Sequence, residues 1–221
     1  MTQKSFKKEL FEQFALIAKS LSNGIRLEIL EFLAQGERSV DDLSKVCGLS
    51  VANTSQHLQG LRRSGLVKTR SEGQKVFYRL SDYSVVELLT LMRRIAENNL
   101  GEIQQLVSSY LAEKDDLEPI SRDELLKRAH KGAVTVIDVR PPVEYKSGHV
   151  PMAINIPLSE LKRELKAISR KEEVIAYCRG PFCVLAFEAV AQLRSQGFKA
   201  RRMQDGFPEW KSAGLPIEQG G

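Results

Sequence analysis

Cysteine and long apolar runs are both scarce in this 221-residue chain, and each scarcity removes a class of protein. Three cysteines, Cys47, Cys178 and Cys183, are too few and too unevenly spaced for a secreted domain built on disulfides, so a reducing, cytoplasmic setting is expected. No apolar run approaches the roughly 18 residues that a membrane span needs. The stretch MTQKSFKKELFEQFALIAKS has charges on both sides of a short apolar segment, so neither a signal peptide nor an anchor is expected, and no membrane partner. Glycine (15) and proline (8) are at ordinary levels, which excludes collagen-like and silk-like chains, and no internal repeat or low-complexity tract is present. With 42% hydrophobic and 28% charged residues the composition is that of a globular protein, and the length suits two compact domains of about a hundred residues each.

The formal net charge of +5 permits a nucleic-acid partner without requiring one, so its distribution has to decide. Between positions 50 and 80 the basic residues Arg62, Arg63, Lys68, Arg70, Lys75 and Arg79 face a single acid, Glu72. The opposite bias marks Glu113-Lys114-Asp115-Asp116-Leu117-Glu118-Pro119, which has no periodicity and ends in a proline that disfavours helix before it. The domain boundary is placed there: a first domain over 1–112, an acidic linker over 113–119 and a second domain over 120–221.

The first domain reads as helices followed by a hairpin. Apolar residues over 6–18 recur at helical spacing, and a second helix runs from a Ser22/Asn23 cap to a stop at Gly36. A third helix opens at Ser39 with Asp41 and Asp42 in its first turn and closes at Gly48; a fourth runs from a Ser50 cap to Gly65. Strands over 66–70 and 75–80 flank Ser71-Glu72-Gly73-Gln74, and a long amphipathic helix follows over about 83–111. The third and fourth helices, joined at Cys47-Gly48-Leu49, make a helix-turn-helix whose second helix can enter a major groove. In that helix Val51, Thr54, Leu58 and Leu61 are expected to face the core, leaving Asn53, Gln56 and His57 outward for base edges or phosphates. Ser50 and Ser55 add phosphate contacts, with Arg62 and Arg63 further along. Arg70, Lys75 and Arg79 place charge on the hairpin, a wing beside neighbouring phosphates. The competing reading is a three-helix domain that merely has a basic surface.

The second domain alternates strand and helix. Ser121-Arg122-Asp123-Glu124 is a capping box, 133–139 and 174–177 are short apolar β-rich runs, and 183–196 is an amphipathic helix stopped by Gly197. Such alternation predicts a parallel α/β sheet. Cys178-Arg179-Gly180-Pro181-Phe182-Cys183 lies between a strand and a helix, so Cys178 sits at the carboxyl edge of the sheet, where ligands bind. A helix N-terminus there, with Arg179 adding charge, lowers the pKa of a thiol and suits a nucleophile. A buried, inert cysteine is the alternative.

Over about a hundred residues, AKSLSNGIRLEILEFL and VDDLSKVCGLSVANTSQHLQGLRRSGLVKTRSEGQKVFYRLSD resemble the ArsR (arsenic repressor) type of winged helix-turn-helix regulator. The resemblance implies a homodimer built from the first and last helices, occupying double-stranded operator DNA and releasing it on a signal. The apolar stripe Leu88, Leu89, Met92, Ile95, Ile103, Leu106 and Tyr110 fits a dimer helix or a core face equally. The arsenic-sensing members of this family carry a Cys-Val-Cys pattern where this chain reads Ser39-Val40-Asp41-Asp42-Leu43. Its zinc sensors pair a carboxylate with histidine in the last helix, where Asp82 is followed by no His or Cys before the linker. His57, His130 and His149 are scattered, so no metal and no cofactor is expected. Cys47 reads as a small buried hydrophobe rather than a sensor.

VIDVRPPVEYKSGHVPMAINIP, the Cys178 loop and MQDGFPEWKSAGLP, in that order, resemble a rhodanese domain over about 117–217. By that resemblance Cys178 is the sulfur-carrying cysteine, with Arg179 and Gly180 in its loop. Asp138 and Arg140 brace the active-site edge, Gly148-His149 and Asn155-Ile156-Pro157 shape the adjacent turn, and Gly206 with Trp210 closes the fold. The implied chemistry is transfer of sulfane sulfur from thiosulfate, a polysulfide or a persulfide through a Cys178 persulfide. Phosphatases of this fold place an arginine six positions after the cysteine; here that position is Val184, which disfavours phosphate or arsenate chemistry. Cys183 either resolves the persulfide into a bridge or packs against its helix.

The expected fold is thus a mainly α winged helix-turn-helix followed by an α/β rhodanese-like domain. The expected function is a DNA-binding regulator, a repressor, that senses or transfers sulfane sulfur. Two alternatives stand beside it: a working sulfurtransferase whose helical domain serves dimerisation, and a metal-responsive repressor.

Overall fold

The protein is described by a computed structural model covering residues 3–110 and 119–220. By its contacts the chain divides into two compact units, 1–85 and 86–221. The acidic linker expected at 113–119 lies, Pro119 apart, outside the described residues.

The first unit comprises α1 (Gln3–Leu21), α2 (Gly24–Ala34), β1 (Arg38–Ser39), α3 (Val40–Val46), α4 (Val51–Arg63), β2 (Val67–Glu72) and β3 (Lys75–Leu80). Helix starts follow local chemistry. Asn23, Ser39 and Ser50 each accept a backbone N–H of the first turn, from Arg26, Asp42 and Asn53. Gly48, at φ +64°, reverses the chain after α3, and the Leu49 N–H then reaches the Ser44 carbonyl at 2.9 Å. That closure is the turn of the helix-turn-helix. Ile29, Leu30, Leu33, Leu43, Leu58 and Leu61 are buried in the core. The three-stranded antiparallel sheet has order β1-β3-β2. Glu72 pairs with Lys75, so the hairpin narrows from the expected four loop residues to Gly73-Gln74, with Gly73 at φ +59° in the first loop position.

The long helix expected over 83–111 is two helices, α5 (Ser84–Asn99) and α6 (Gly101–Tyr110). Asn99 turns its amide back onto the Ile95 carbonyl at 2.7 Å, and Gly101, a weak helix former, opens the second piece. Amphipathic periodicity continues across the break, so pattern alone did not reveal it.

The rest of the second unit comprises α7 (Arg122–Ala129), β4 (Val134–Asp138), α8 (Pro142–Ser147), β5 (Ile154–Asn155), α9 (Leu161–Glu164), β6 (Glu173–Tyr177), α10 (Val184–Ser195), β7 (Ala200–Arg202) and α11 (Phe207–Ser212). The strands form a parallel sheet of order β5-β4-β6-β7. Alternation along β6 sends Val174, Ala176 and then Cys178 into one apolar layer with α10, and Ile175 and Tyr177 into the other with Leu125, Phe207 and Trp210. The ends of β4 and β6 lie side by side, Asp138 opposite Tyr177, and Cys178 begins the loop beyond.

Candidate functional site

The candidate residues fall on two surfaces. On α4, Thr54, Leu58 and Leu61 are buried, while Asn53 and Gln56 are exposed and Ser55 and His57 half-exposed. Val51 departs from the expectation that it faces the core: it is 49% exposed, at the first position of the helix after the Ser50 cap, and among the described residues it is left open to solvent. Ser50 uses its oxygen to cap α4, which leaves only its hydroxyl hydrogen for a phosphate. Arg62 and Arg63 are exposed in the last turn of α4, and Lys75 is exposed at the hairpin tip. Arg70 is placed differently from the open wing cation expected. Its guanidinium grips Glu37 at 2.6 Å and Glu72 at 2.5 Å, and those hydrogen bonds raise its pKa. Asp82, just ahead of α5, accepts the Ser84 N–H at 2.9 Å, and the Ser84 hydroxyl contact lowers its pKa. Cys47 is half-buried; burial, reinforced by Glu28, pushes its thiol up to about 11. Among the described residues, no three His, Cys, Asp or Glu side chains cluster as metal ligands.

The second surface is the loop after β6. Cys178 is 1% exposed, and a turn closed by the Cys183 N–H on the Gly180 carbonyl (3.1 Å) brings the two cysteines to a Cα separation of 6.1 Å, joined as a disulfide. Cys183 is the N-cap of α10, so the bridge lies at the N-terminal, positive end of that helix.

A buried network holds the loop from below. Asp138 and Arg140 are both fully buried; Arg140 binds both Asp138 oxygens and donates to the Gly148 carbonyl at 2.8 Å. Burial works against the Arg140 charge, yet the Asp138 hydrogen bonds and charge outweigh it and raise the pKa. The Tyr177 hydroxyl donates to Asp138 at 2.7 Å, and burial together with the Asp138 charge raises its pKa far above the usual phenol. Arg140 also lies over the Phe207 ring at 4.4 Å, and the Phe207 N–H donates to the Cys178 carbonyl at 3.0 Å. Gly206 packs so tightly on the loop that a Cβ there would meet the backbone of Arg179 and Gly180.

Residues 121–213 match the family described as rhodanese-like domain, and residues 23–69 match bacterial regulatory protein, arsR family. Over 218 residues the chain is 40% identical to the HTH-type transcriptional regulator Rv0324 of Mycobacterium tuberculosis, covering 99% of this chain and 96% of that one. It is an arsR-family regulator with a rhodanese-like domain. Over 80 residues the regulator is 45% identical to the transcriptional activator HlyU of Vibrio cholerae, covering 36% of this chain and 74% of that one. A solved homodimeric winged helix-turn-helix DNA-binding domain of a possible ArsR-family regulator from Mycobacterium bovis is 38% identical. It covers 45% of this chain and 93% of that one, at a TM-score of 0.42.

In the arsR-family regulator, Cys178, Gly180, Cys183, Asp138 and Arg140 come together at one sheet edge. Arg179 differs from its expected role of adding charge to the thiolate. Its guanidinium forms a fork on Glu144, which is itself buried, at 2.9 Å to each oxygen, so its charge is taken up and it anchors the loop to α8. Glu144 and Tyr177 were not singled out from sequence, and nothing local in VRPPVEY marks that glutamate as an arginine partner. Glu209 was equally missed, although its place three residues after Gly206, at the start of α11, is a readable signal: its Oε2 accepts the Gly206 N–H at 3.1 Å. No helix among the described residues is long and apolar enough to cross a membrane.

Proposed function

We propose that this regulator is a homodimeric repressor whose rhodanese-like domain reads sulfane sulfur through Cys178 and Cys183. In this reading residues 1–112 bind double-stranded operator DNA and dimerise, 113–119 link, and 120–221 sense. Asn53, Gln56 and His57 address base edges or phosphates, while Ser50, Ser55, Arg62, Arg63 and Lys75 address phosphates. Arg70 contributes as a wing residue already neutralised by Glu37 and Glu72.

The observation that carries the reading is the Cys178–Cys183 bridge at the end of β6, beside the N-terminus of α10. A Cys178 thiolate attacks the outer sulfur of a persulfide RSSH, forming Cys178–SSH and releasing RS⁻, which takes up a proton as RSH. The Cys183 thiolate then attacks the inner sulfur of that persulfide, forming the bridge and expelling HS⁻. Summed, two thiols and RSSH yield one disulfide, RSH and hydrogen sulfide. The donor is the oxidant, and two electrons pass from the cysteine pair to its sulfane sulfur.

Mass spectrometry after treatment with a persulfide donor tests this chemistry. Cys183→Ser is expected to accumulate a persulfide 32 Da heavier at Cys178 (about the mass of one sulfur atom), wild type to form the bridge, and Cys178→Ser to do neither. A Cys183→Ser protein that passes its sulfur to cyanide in many turnovers, with no change in DNA binding of the wild type, favours the sulfurtransferase reading instead.

A further inference from the structure

We infer that Arg93 is the positioning residue through which the Cys178 loop and helix α5 sense each other, an assignment that rests on the sulfur-sensing reading above. Its guanidinium faces the loop on one side and, on the other, the start of α11 that packs on the loop. On one side Arg93 Nη1 donates to Glu209 Oε1 at 3.1 Å. Glu209 is largely buried, and its other oxygen accepts the N–H of Gly206, the residue packed against the backbone of Arg179 and Gly180. The next residue, Phe207, donates its N–H to the Cys178 carbonyl. On the other side the same guanidinium lies 5.9 Å from the centre of the Phe182 ring, and Phe182 directly precedes Cys183. One side chain therefore bridges the segment packed on the Cys178 loop and Phe182, the residue before Cys183.

Arg93 belongs to α5, which opens with Ser84 and Val85, the last residues of the first unit. A helix is a rigid element, so a loop geometry that Arg93 favours is also a bias on α5. Forming the Cys178–Cys183 bridge fixes the spacing of Phe182 from Gly206. Opening it frees Phe182, and the reach Arg93 needs to hold Glu209 and the Phe182 ring together changes. Lysine at this position keeps one charge for Glu209 but lacks the planar face for the ring.

Linkage provides the test, because coupling between loop and operator must be reciprocal. The midpoint potential of the Cys178/Cys183 couple is measured on the full chain by equilibration in glutathione buffers and thiol trapping, with and without saturating operator duplex. In the wild type, a tenfold weaker operator affinity of the bridged form appears as an operator-dependent shift of about 30 mV. Arg93→Met is expected to form the bridge and to bind operator when reduced within twofold of wild type, yet to lose the operator dependence, its two redox forms differing less than twofold in affinity. Arg93→Lys is expected to recover part of the shift, and it decides the matter should Arg93→Met fail to fold. A full wild-type shift in both variants overturns the assignment and leaves the sulfur-sensing reading intact. No shift in the wild type overturns both.

Discussion

Replacing Gly206 by alanine probes a close backbone contact between the Cys178 loop and the start of α11. The backbone at Gly206 (φ −100°, ψ −177°) is extended and suits any residue, so the cost is purely one of space. The added Cβ would stand 2.5 Å from the Arg179 carbonyl oxygen and closer still to the Arg179 carbonyl carbon and the Gly180 nitrogen. Ordinary contact at about 3.5 Å asks for a displacement of about 1 Å, and every atom in the way is backbone. Overpacking of this kind costs about 1–3 kcal/mol. Moving the segments apart also strains the 3.0 Å Phe207 N–H to Cys178 carbonyl bond, worth about 1 kcal/mol. The reduced freedom of the unfolded alanine chain offsets about 0.4–1 kcal/mol. A net loss of about 1–3.5 kcal/mol results. Urea unfolding reads the loss, and the rate of Cys178–Cys183 closure with oxidised glutathione reads the loop, which is expected to close several-fold more slowly. Gly132→Ala is the control: Gly132 sits at φ +63° with nothing within 4 Å of an added Cβ, so it costs about 1–2 kcal/mol of backbone strain and leaves closure unchanged. An unchanged urea midpoint and closure rate in Gly206→Ala would refute the packing argument.

Other perturbations separate the remaining interactions. Asp138→Asn removes the carboxylate charge that both ends of the buried Arg140 guanidinium bind and is expected to cost about 3–5 kcal/mol in urea unfolding, whereas Asp138→Leu with Arg140→Met costs much less; equal losses contradict the pairing. In a Cys178→Ser, Cys183→Ser background, alkylation of Cys47 is expected to accelerate up to about pH 11, since burial raises its thiol pKa. The sign for stability follows: the contribution is intact below the unfolded thiol value near 9.0 and is lost as pH rises through about 11. An alkylation midpoint near pH 9 contradicts it. On operator DNA, Lys75→Ala is expected to reduce the slope of log affinity against log salt by about 1, and Arg70→Ala by clearly less because Glu37 and Glu72 already hold that charge. Equal slope changes remove that distinction.

What was legible in the sequence is what local chemistry dictates. The caps at Asn23, Ser39, Ser50 and Ser121 act on N–H groups three residues ahead, so residue type and spacing were enough to place four helix starts. The Cys178 loop was legible for the same reason, since an apolar run, a short loop and an amphipathic helix are consecutive in the chain. What escaped depends on partners that only the fold brings near. Arg179 finds Glu144 thirty-five positions away, Arg70 finds Glu37 thirty-three away, and Arg93 finds Glu209 across 116. In both the Arg179 and Arg70 cases the residue was recognised and its partner was not, so a cation read as free turned out to be neutralised. Val51 and the break at Leu100 failed differently: helical period gives a direction to every residue but says nothing of where covering elements end.

The most direct measurement is an equilibrium titration of one operator duplex, at one fixed salt concentration, with the fully reduced regulator and with the same preparation bridged at Cys178–Cys183 by a persulfide donor. Bridging is expected to weaken binding at least tenfold, about 1.4 kcal/mol, dithiothreitol to restore it, and Cys183→Ser to bind the operator identically before and after treatment. Identical affinities of the reduced and bridged wild-type protein would contradict this expectation.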